Sequence, residues 1–141
     1  SRSVEANQLV GTTTVAIDFG KIVLDGNYIY LFGTPGQERF SITRTVASHG
    51  ADGILIVVDS GQGMTEQEAR MSNELEEGGI PFVIALNKID VNEHARRVRY
   101  KSGLIDVVYP VSALSGEGIL QALRALVDKI ERQRSEDDGL F

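Results

Sequence analysis

LFGTPGQERF, residues 31–40, is the stretch on which the reading of this chain turns. Tyr28 to Phe32 is an apolar run suited to a half-buried strand. It stops at Gly33-Thr34-Pro35-Gly36, where two glycines around a proline let the backbone turn sharply. Gln37 and the pair Glu38-Arg39 follow the turn. In open α/β sheets ligands gather at the carboxyl ends of strands, so a turn of this kind marks the end of the sheet where a site is expected.

Upstream, Val15, Ile17 and Phe19 alternate with Ala16 and Asp18, the period-two pattern of a strand, and Asp25-Gly26-Asn27 is a turn signal ahead of Tyr28. The two strands are expected to pair as an antiparallel hairpin. Downstream the pattern changes. Gly53 to Asp59 (GILIVVD) and Pro81 to Asn87 (PFVIALN) are nearly continuous apolar runs, as strands covered on both faces require. Between them the spacing predicts a helix over Thr65 to Glu77, with Thr65 and Glu68 as a capping box and Gly78-Gly79 as its stop. A second helix is expected over Asn92 to Lys101 and a last strand over Asp106 to Val111. A closing helix is expected over Gly118 to Arg134, where Ile119, Leu120, Leu123, Leu126, Val127 and Ile130 repeat at helical spacing. Strands alternating with helices of these lengths mean an α/β fold, a mostly parallel sheet with crossover helices preceded by one antiparallel hairpin. In this reading residues 1–134 form one domain and 135–141, SEDDGLF, a charged tail.

The most specific chemistry is Asn87-Lys88-Ile89-Asp90 at the end of one apolar strand, followed by Ser112-Ala113-Leu114 at the end of the next. Guanine presents two adjacent donors, N1–H and the 2-amino group. A carboxylate has two oxygens that accept both, so Asp90 is the residue to choose guanine over adenine. A site built on such a pair rejects the wrong ligand by a factor on the order of 10⁴ or more, because a buried polar group without a partner is costly. Taken alone, NKID is also an ordinary strand-to-helix turn with Asn and Asp as turn residues. Its position after PFVIAL and before VSALSGEGI favours the nucleotide reading.

These motifs together resemble the Ras-like small GTPases: LFGTPGQERF their third signature, NKID and SAL their guanine-recognition pair, and TVAID (14–18) and GADGILIVVD (50–59) the matching stretches of Rab-type members. The likeness runs from Thr12 to the final helix. It implies that the Gly36 amide faces a terminal phosphate, since a residue without Cβ lets the backbone come close, and that Gln37 orients the attacking water. It implies that Thr14 binds Mg²⁺ through its hydroxyl and senses the γ-phosphate through its amide. It puts the Ala113 amide, between Ser112 and Leu114, on the guanine O6, lays Lys88 along the base, and has Asn87 tie the two loops together.

Two departures stand out. Gly33 occupies the place of the usual aspartate, which holds a water on Mg²⁺; a subset of prokaryotic GTPase-like proteins related to the gliding-motility polarity switches also reads LFGTPGQERF. The phosphate-binding string G-x-x-x-x-G-K-[ST] occurs nowhere in the 141 residues. In the family the strand ahead of that loop lies between the strand of Tyr28–Phe32 and that of Gly53–Asp59. Its absence is therefore expected to leave the centre of the sheet open. The chain starts at Ser1 with a polar SRSVEANQ, and the expectation is a piece of a longer protein.

Composition narrows the partners. Against 20 Asp and Glu stand 14 Lys and Arg, a net charge of −6 that disfavours nucleic acid and anionic membrane. There is no cysteine, which excludes disulfides and thiolate metal sites, and no long uncharged apolar run to insert into a bilayer. With no signal-like start, a cytoplasmic protein is expected. Arg96, Arg97, Arg99 and Lys101 form a basic cluster that reads as a solvated helix face, with an acidic partner as the alternative. His49 and His94 lack a neighbouring ligand pattern, and Met64 and Met71 read as core or near-surface filler. The resemblance thus implies a switch that binds GTP or GDP with Mg²⁺, hydrolyses GTP slowly, and meets a protein effector or an activating partner. The alternative is a pseudo-GTPase, an interaction module that keeps the fold without catalysis.

Overall fold

The computed structural model describes residues 8–10, 13–18, 20–33, 41–59, 66–88 and 107–138, the first two stretches as backbone only. The elements are β1 (Gln8–Val10), β2 (Thr13–Asp18), β3 (Lys21–Leu24), β4 (Asn27–Gly33), α1 (Ile42–Ser48), β5 (Gly53–Asp59), α2 (Glu66–Glu77), β6 (Phe82–Asn87), β7 (Val108–Pro110) and α3 (Ile119–Asp138). The expected helix over Asn92–Lys101 lies outside the described residues.

The strands form one sheet in chain order, β1 to β7. From β4 onward the pairings are parallel, as crossover connections through α1 and α2 require. The hairpin ahead of them turns at Asp25-Gly26, where φ is 52° and 78°. Positive φ at both central residues is the turn whose twist matches paired antiparallel strands, and Asp-Gly is a sequence that adopts it readily. The antiparallel side is larger than one hairpin. The strand that carries Val15 and Ile17 does not meet Tyr28; β3 comes between them, and β1 adds an outer edge to β2.

The expected opening at the centre of the sheet is not there. β4 pairs directly with β5, from Ile29↔Gly53 to Gly33↔Val57. Backbone N–H and C=O groups buried inside a sheet require partners, and two parallel strands brought side by side supply them to each other. Apolar side chains that a gap would have exposed are buried instead: Ile29 is 0% exposed and Ile54 0%.

Two cores sandwich the sheet. On one face Phe32, Ile54, Ile56, Val58, Phe82, Ile84 and Leu86 pack with Ile42 and Val46 of α1 and Met71 and Leu75 of α2. On the other, Ile22, Leu24, Ile29, Leu55, Val83 and Ala85 pack beneath the Ala122, Leu123, Leu126, Val127 and Ile130 stripe of α3. Met71, read as core or near-surface filler, is core. Helix α1, absent from the sequence expectation, starts at Ser41, whose Oγ accepts from the Arg44 N–H at 3.2 Å. Helix α3 runs to Asp138, four residues into the segment expected as a tail. Its last turns are tied down: Gln133 Nε2 donates to the Gly79 carbonyl at 2.7 Å, and Arg134 reaches Asn27 Oδ1 at 2.7 Å and Asp52 Oδ1 at 2.8 Å. Asp52 Oδ2 in turn accepts from the Tyr28 N–H at 2.7 Å, so the end of α3 clamps the starts of β4 and β5.

Glycines at 116 and 118 separate two effects. Both have left-handed φ, 86° and 78°. A Cβ at Gly116 would meet nothing within 4 Å, whereas one at Gly118 would strike the Pro110 carbonyl. Gly116→Ala is expected to cost about 1 kcal/mol from backbone strain alone, and Gly118→Ala at least about twice that. Urea denaturation midpoints of the two variants measure the difference; equal midpoints would contradict the packing of this loop against β7.

Candidate functional site

The parallel register brings the carboxyl ends of β5, β6 and β7 to one edge. Asp59, the last residue of β5, lies in register with Asn87, the last of β6. Lys88 follows with φ 70°, a left-handed conformation that is unusual for a residue with a side chain, and its Nζ lies 2.7 Å from Asp59 Oδ2. Beyond β7 the chain forms a compact loop. Ser112 is 0% exposed; its N–H donates to the Glu117 carbonyl at 2.9 Å, its own carbonyl accepts from Gly116 at 2.7 Å, and its Oγ accepts from the Ser115 N–H at 3.2 Å.

The two loops are joined. Asn87 Oδ1 accepts the Ala113 N–H at 2.9 Å, across 26 residues of sequence. The Ala113 donor is therefore engaged by the asparagine, and a base oxygen arriving there would share that hydrogen or displace the amide. Leu114 is 88% exposed, the one large apolar side chain so exposed among the described residues, and stands at the crest of the loop. The edge thus sets an exposed aliphatic side chain and a lysine stem beside the Asn87–Ala113 tie.

Of the residues singled out in the sequence, the structure brings together Asn87, Lys88, Ser112, Ala113 and Leu114 at this edge. Gly36, Gln37 and Asp90 lie outside the described residues, as do Met64, His94, Arg96, Arg97, Arg99 and Lys101. Thr14 belongs to β2, paired antiparallel with Leu9, and the register through β3 sets the start of β2 beside the start of β4, at the amino end of the parallel strands and away from this edge. Among the described residues no group of three or more His, Cys, Asp or Glu is placed to hold a metal ion. His49 stacks on Tyr30, centroids 4.4 Å apart, with Nδ1 at 2.8 Å from the Thr45 carbonyl, a structural role on α1. Asp59 was missed in the sequence. The signal for it was a charged residue closing an apolar run at the ligand end of the sheet. A cleft of about 410 Å³ between Pro81, Phe82, Val107 and Lys129 lies at the opposite, amino end of β6 and is no part of this site.

A parallel sheet whose carboxyl edge couples an Asn-Lys loop to a Ser-Ala-Leu loop is that of a GTP-binding domain in the P-loop GTPase superfamily. Residues 5–132 match the family described as Elongation factor Tu GTP binding domain, and the chain belongs to that family. Among curated relatives, an uncharacterised protein of Methanocaldococcus jannaschii is 39% identical over 80 residues, 57% of this chain and 52% of that protein. Translation initiation factor IF-2 of Finegoldia magna is 30% identical over 132 residues, 85% of this chain and 16% of the factor. GTPase Der of Coxiella burnetii is 31% identical over 108 residues, 70% and 24%. The chain thus spans about half or less of the length of these relatives. A crystal structure described as a probable GTP-binding protein EngB superposes with a TM-score of 0.48 at 18% identity, over 85% of this chain and 84% of that one.

The Asn87 tie is directly measurable. Asn87→Ala should raise the hydrogen-exchange rate of the Ala113 amide roughly threefold to tenfold, the equivalent of a hydrogen bond worth about 0.5–1.5 kcal/mol. Asn87→Asp keeps the acceptor and should leave the rate near that of the native chain. An unchanged rate in the alanine variant would show that the two loops hold their positions without this bond.

Proposed function

We propose that the intact protein is a molecular switch that binds GTP and GDP through this edge and hydrolyses GTP to GDP and phosphate. The observation that carries the reading is the Asn87–Ala113 hydrogen bond, which ties the end of β6 to the Ser-Ala-Leu loop. In this reading the Asp90 carboxylate accepts from guanine N1–H and the 2-amino group, and the Ala113 N–H turns to the O6. Lys88, its ammonium held by Asp59, lays its stem along the ring, and Leu114 offers an apolar surface to it. Gly36 meets the terminal phosphate. Gln37 orients the water whose oxygen attacks the γ-phosphorus as the bond to the β-phosphate oxygen breaks, leaving GDP. Mg²⁺, when bound, would neutralise phosphate charge; Thr14, in β2 beside the start of β4, does not fit as its ligand. The net charge of −6 directs the search for effectors to proteins and away from nucleic acid.

One observation favours the second reading, a pseudo-GTPase. β4 and β5 pair directly where the likeness to Ras-like proteins puts the strand leading to the phosphate loop. An interaction module of this fold would keep the base edge and lack turnover.

Two substitutions in the intact protein test the proposal. Asp90→Asn should shift preference from GTP towards XTP by roughly 10- to 100-fold, because the C2 oxygen of xanthine accepts where guanine donates. Competition binding reads the ratio; unchanged selectivity removes Asp90 from base recognition. Gln37→Leu keeps the volume and removes donor and acceptor. It should slow single-turnover hydrolysis roughly 10- to 100-fold with GTP affinity nearly unchanged. Equal rates, or no hydrolysis in the native protein, would favour the pseudo-GTPase.

A further inference from the structure

Asp59 and Lys88 meet where two strands end. The register sets Asp59 level with Asn87, and Lys88, the next residue, places its Nζ 2.7 Å from Asp59 Oδ2, 29 residues away in the chain. Lys88 holds φ at 70°; among the described residues the one other side-chain-bearing residue with positive φ is Asp25. Asp25 sits in a hairpin turn, a place where aspartate takes that conformation readily, and lysine has no such ease. A left-handed backbone is costly for a residue with a Cβ, and glycine would make the same turn without that cost. As a stabilising device the ion pair does not offset it: the two side chains are 55% and 34% exposed, and pairs this open to solvent contribute little to a fold. What the arrangement does fix is the path of the lysine. With its backbone set at one end and its ammonium held at the other, the stem runs from the end of β6 towards the end of β5, and the Asn87–Ala113 tie lies on the β7 side.

We infer that Asp59 is a positioning residue for base binding: its carboxylate anchors the Lys88 ammonium and so presents the lysine stem, already ordered, to the face of a guanine ring. The inference rests on the base-recognition reading and goes beyond it, because it makes affinity depend on a residue that meets no atom of the ligand. A lysine side chain free in solvent loses rotamer freedom when a ligand packs on it, whereas one tied at its tip has little left to lose. Ordering one such side chain during binding lowers affinity roughly threefold to tenfold. The effect is on the ring face, and the edge groups that separate guanine from adenine do not enter it.

A double-mutant cycle tests this, each chain titrated with guanosine monophosphate and followed at the Ala113 and Leu114 amides. Asp59→Ala should weaken binding roughly threefold to tenfold while the amides of α3 stay in place. Lys88→Met keeps an unbranched stem of similar reach and removes the ammonium, so it should weaken binding by a similar factor. The two together decide the route: with no ammonium left to anchor, adding Asp59→Ala to Lys88→Met should change affinity by less than about twofold. Asp59→Asn keeps one acceptor oxygen and should lose less than Asp59→Ala; it takes the alanine's place in the cycle if that variant fails to fold. A further loss in the double variant as large as in Asp59→Ala alone, or a gain of more than about twofold from removing a negative charge near the phosphate, shows a route other than the lysine and overturns the inference. Native affinity in Asp59→Ala also overturns it and leaves base recognition standing. The absence of a saturable shift in the unsubstituted chain overturns the base-recognition reading and the inference with it.

Discussion

Six residues of β5 pair with six of β6 in one unbroken parallel register, Ile54↔Phe82 through Asp59↔Asn87, and the rest of the structure hangs on that ladder. Side chains alternate across a strand, so this register sends Ile54, Ile56 and Val58 with Phe82, Ile84 and Leu86 into the core under α1 and α2. It sends Leu55 with Val83 and Ala85 into the core under α3. A slip of one residue would exchange the faces and bury nothing correctly. It would also move Asp59 out of line with Asn87 and take Lys88 from its carboxylate. Core and site therefore share one constraint. The carboxyl edge is built by the same pairing on which two hydrophobic layers depend.

The neighbouring ladder carries a different consequence. β4 and β5 meet edge to edge, and on the far side β4 continues into an antiparallel meander of β3, β2 and β1. Any strand that came between β4 and β5 would have to replace a ladder running from Ile29↔Gly53 to Gly33↔Val57, and would part Ile29 from a core it now completes. The edge that joins Asn87 to Ala113 needs only β5, β6 and β7. Phosphate binding, in the likeness to Ras-like proteins, needs the seam at β4. The seam at β4 and the edge that joins Asn87 to Ala113 are therefore built by separate ladders of one sheet.

Much of this was legible in the chain. Gly53–Asp59 is a strand with the expected bounds because a continuous apolar run flanked by polar residues has few alternatives. The turn at Asp25-Gly26, the stop of α2 at Gly78-Gly79 and the apolar stripe of α3 follow from local rules that need no tertiary context. Asn87, Lys88 and Ser112 to Leu114 could be picked out because two short motifs end adjacent strands. What stayed hidden is non-local. Helix α1 exists through a carboxylate 32 residues away, the last turns of α3 through Gln133 and Arg134 reaching other elements, and the role of Asp59 through a register that only pairing reveals. Closure of the sheet was hidden for the same reason, because strand edges find partners according to what is beside them in space.

The central claim is that the edge built by β5, β6 and the loop after β7 recognises guanine. Two-dimensional amide spectra of the isotopically labelled chain, titrated to millimolar concentration with guanosine monophosphate and in parallel with adenosine monophosphate, test it without depending on phosphate binding. The account predicts that the guanine nucleotide shifts the amides of Lys88, Ala113 and Leu114 in a saturable way, leaves those lining the cleft at Phe82 and Lys129 in place, and is not mimicked by the adenine nucleotide. Equal shifts with both nucleotides, or shifts confined to the opposite end of β6, would contradict it.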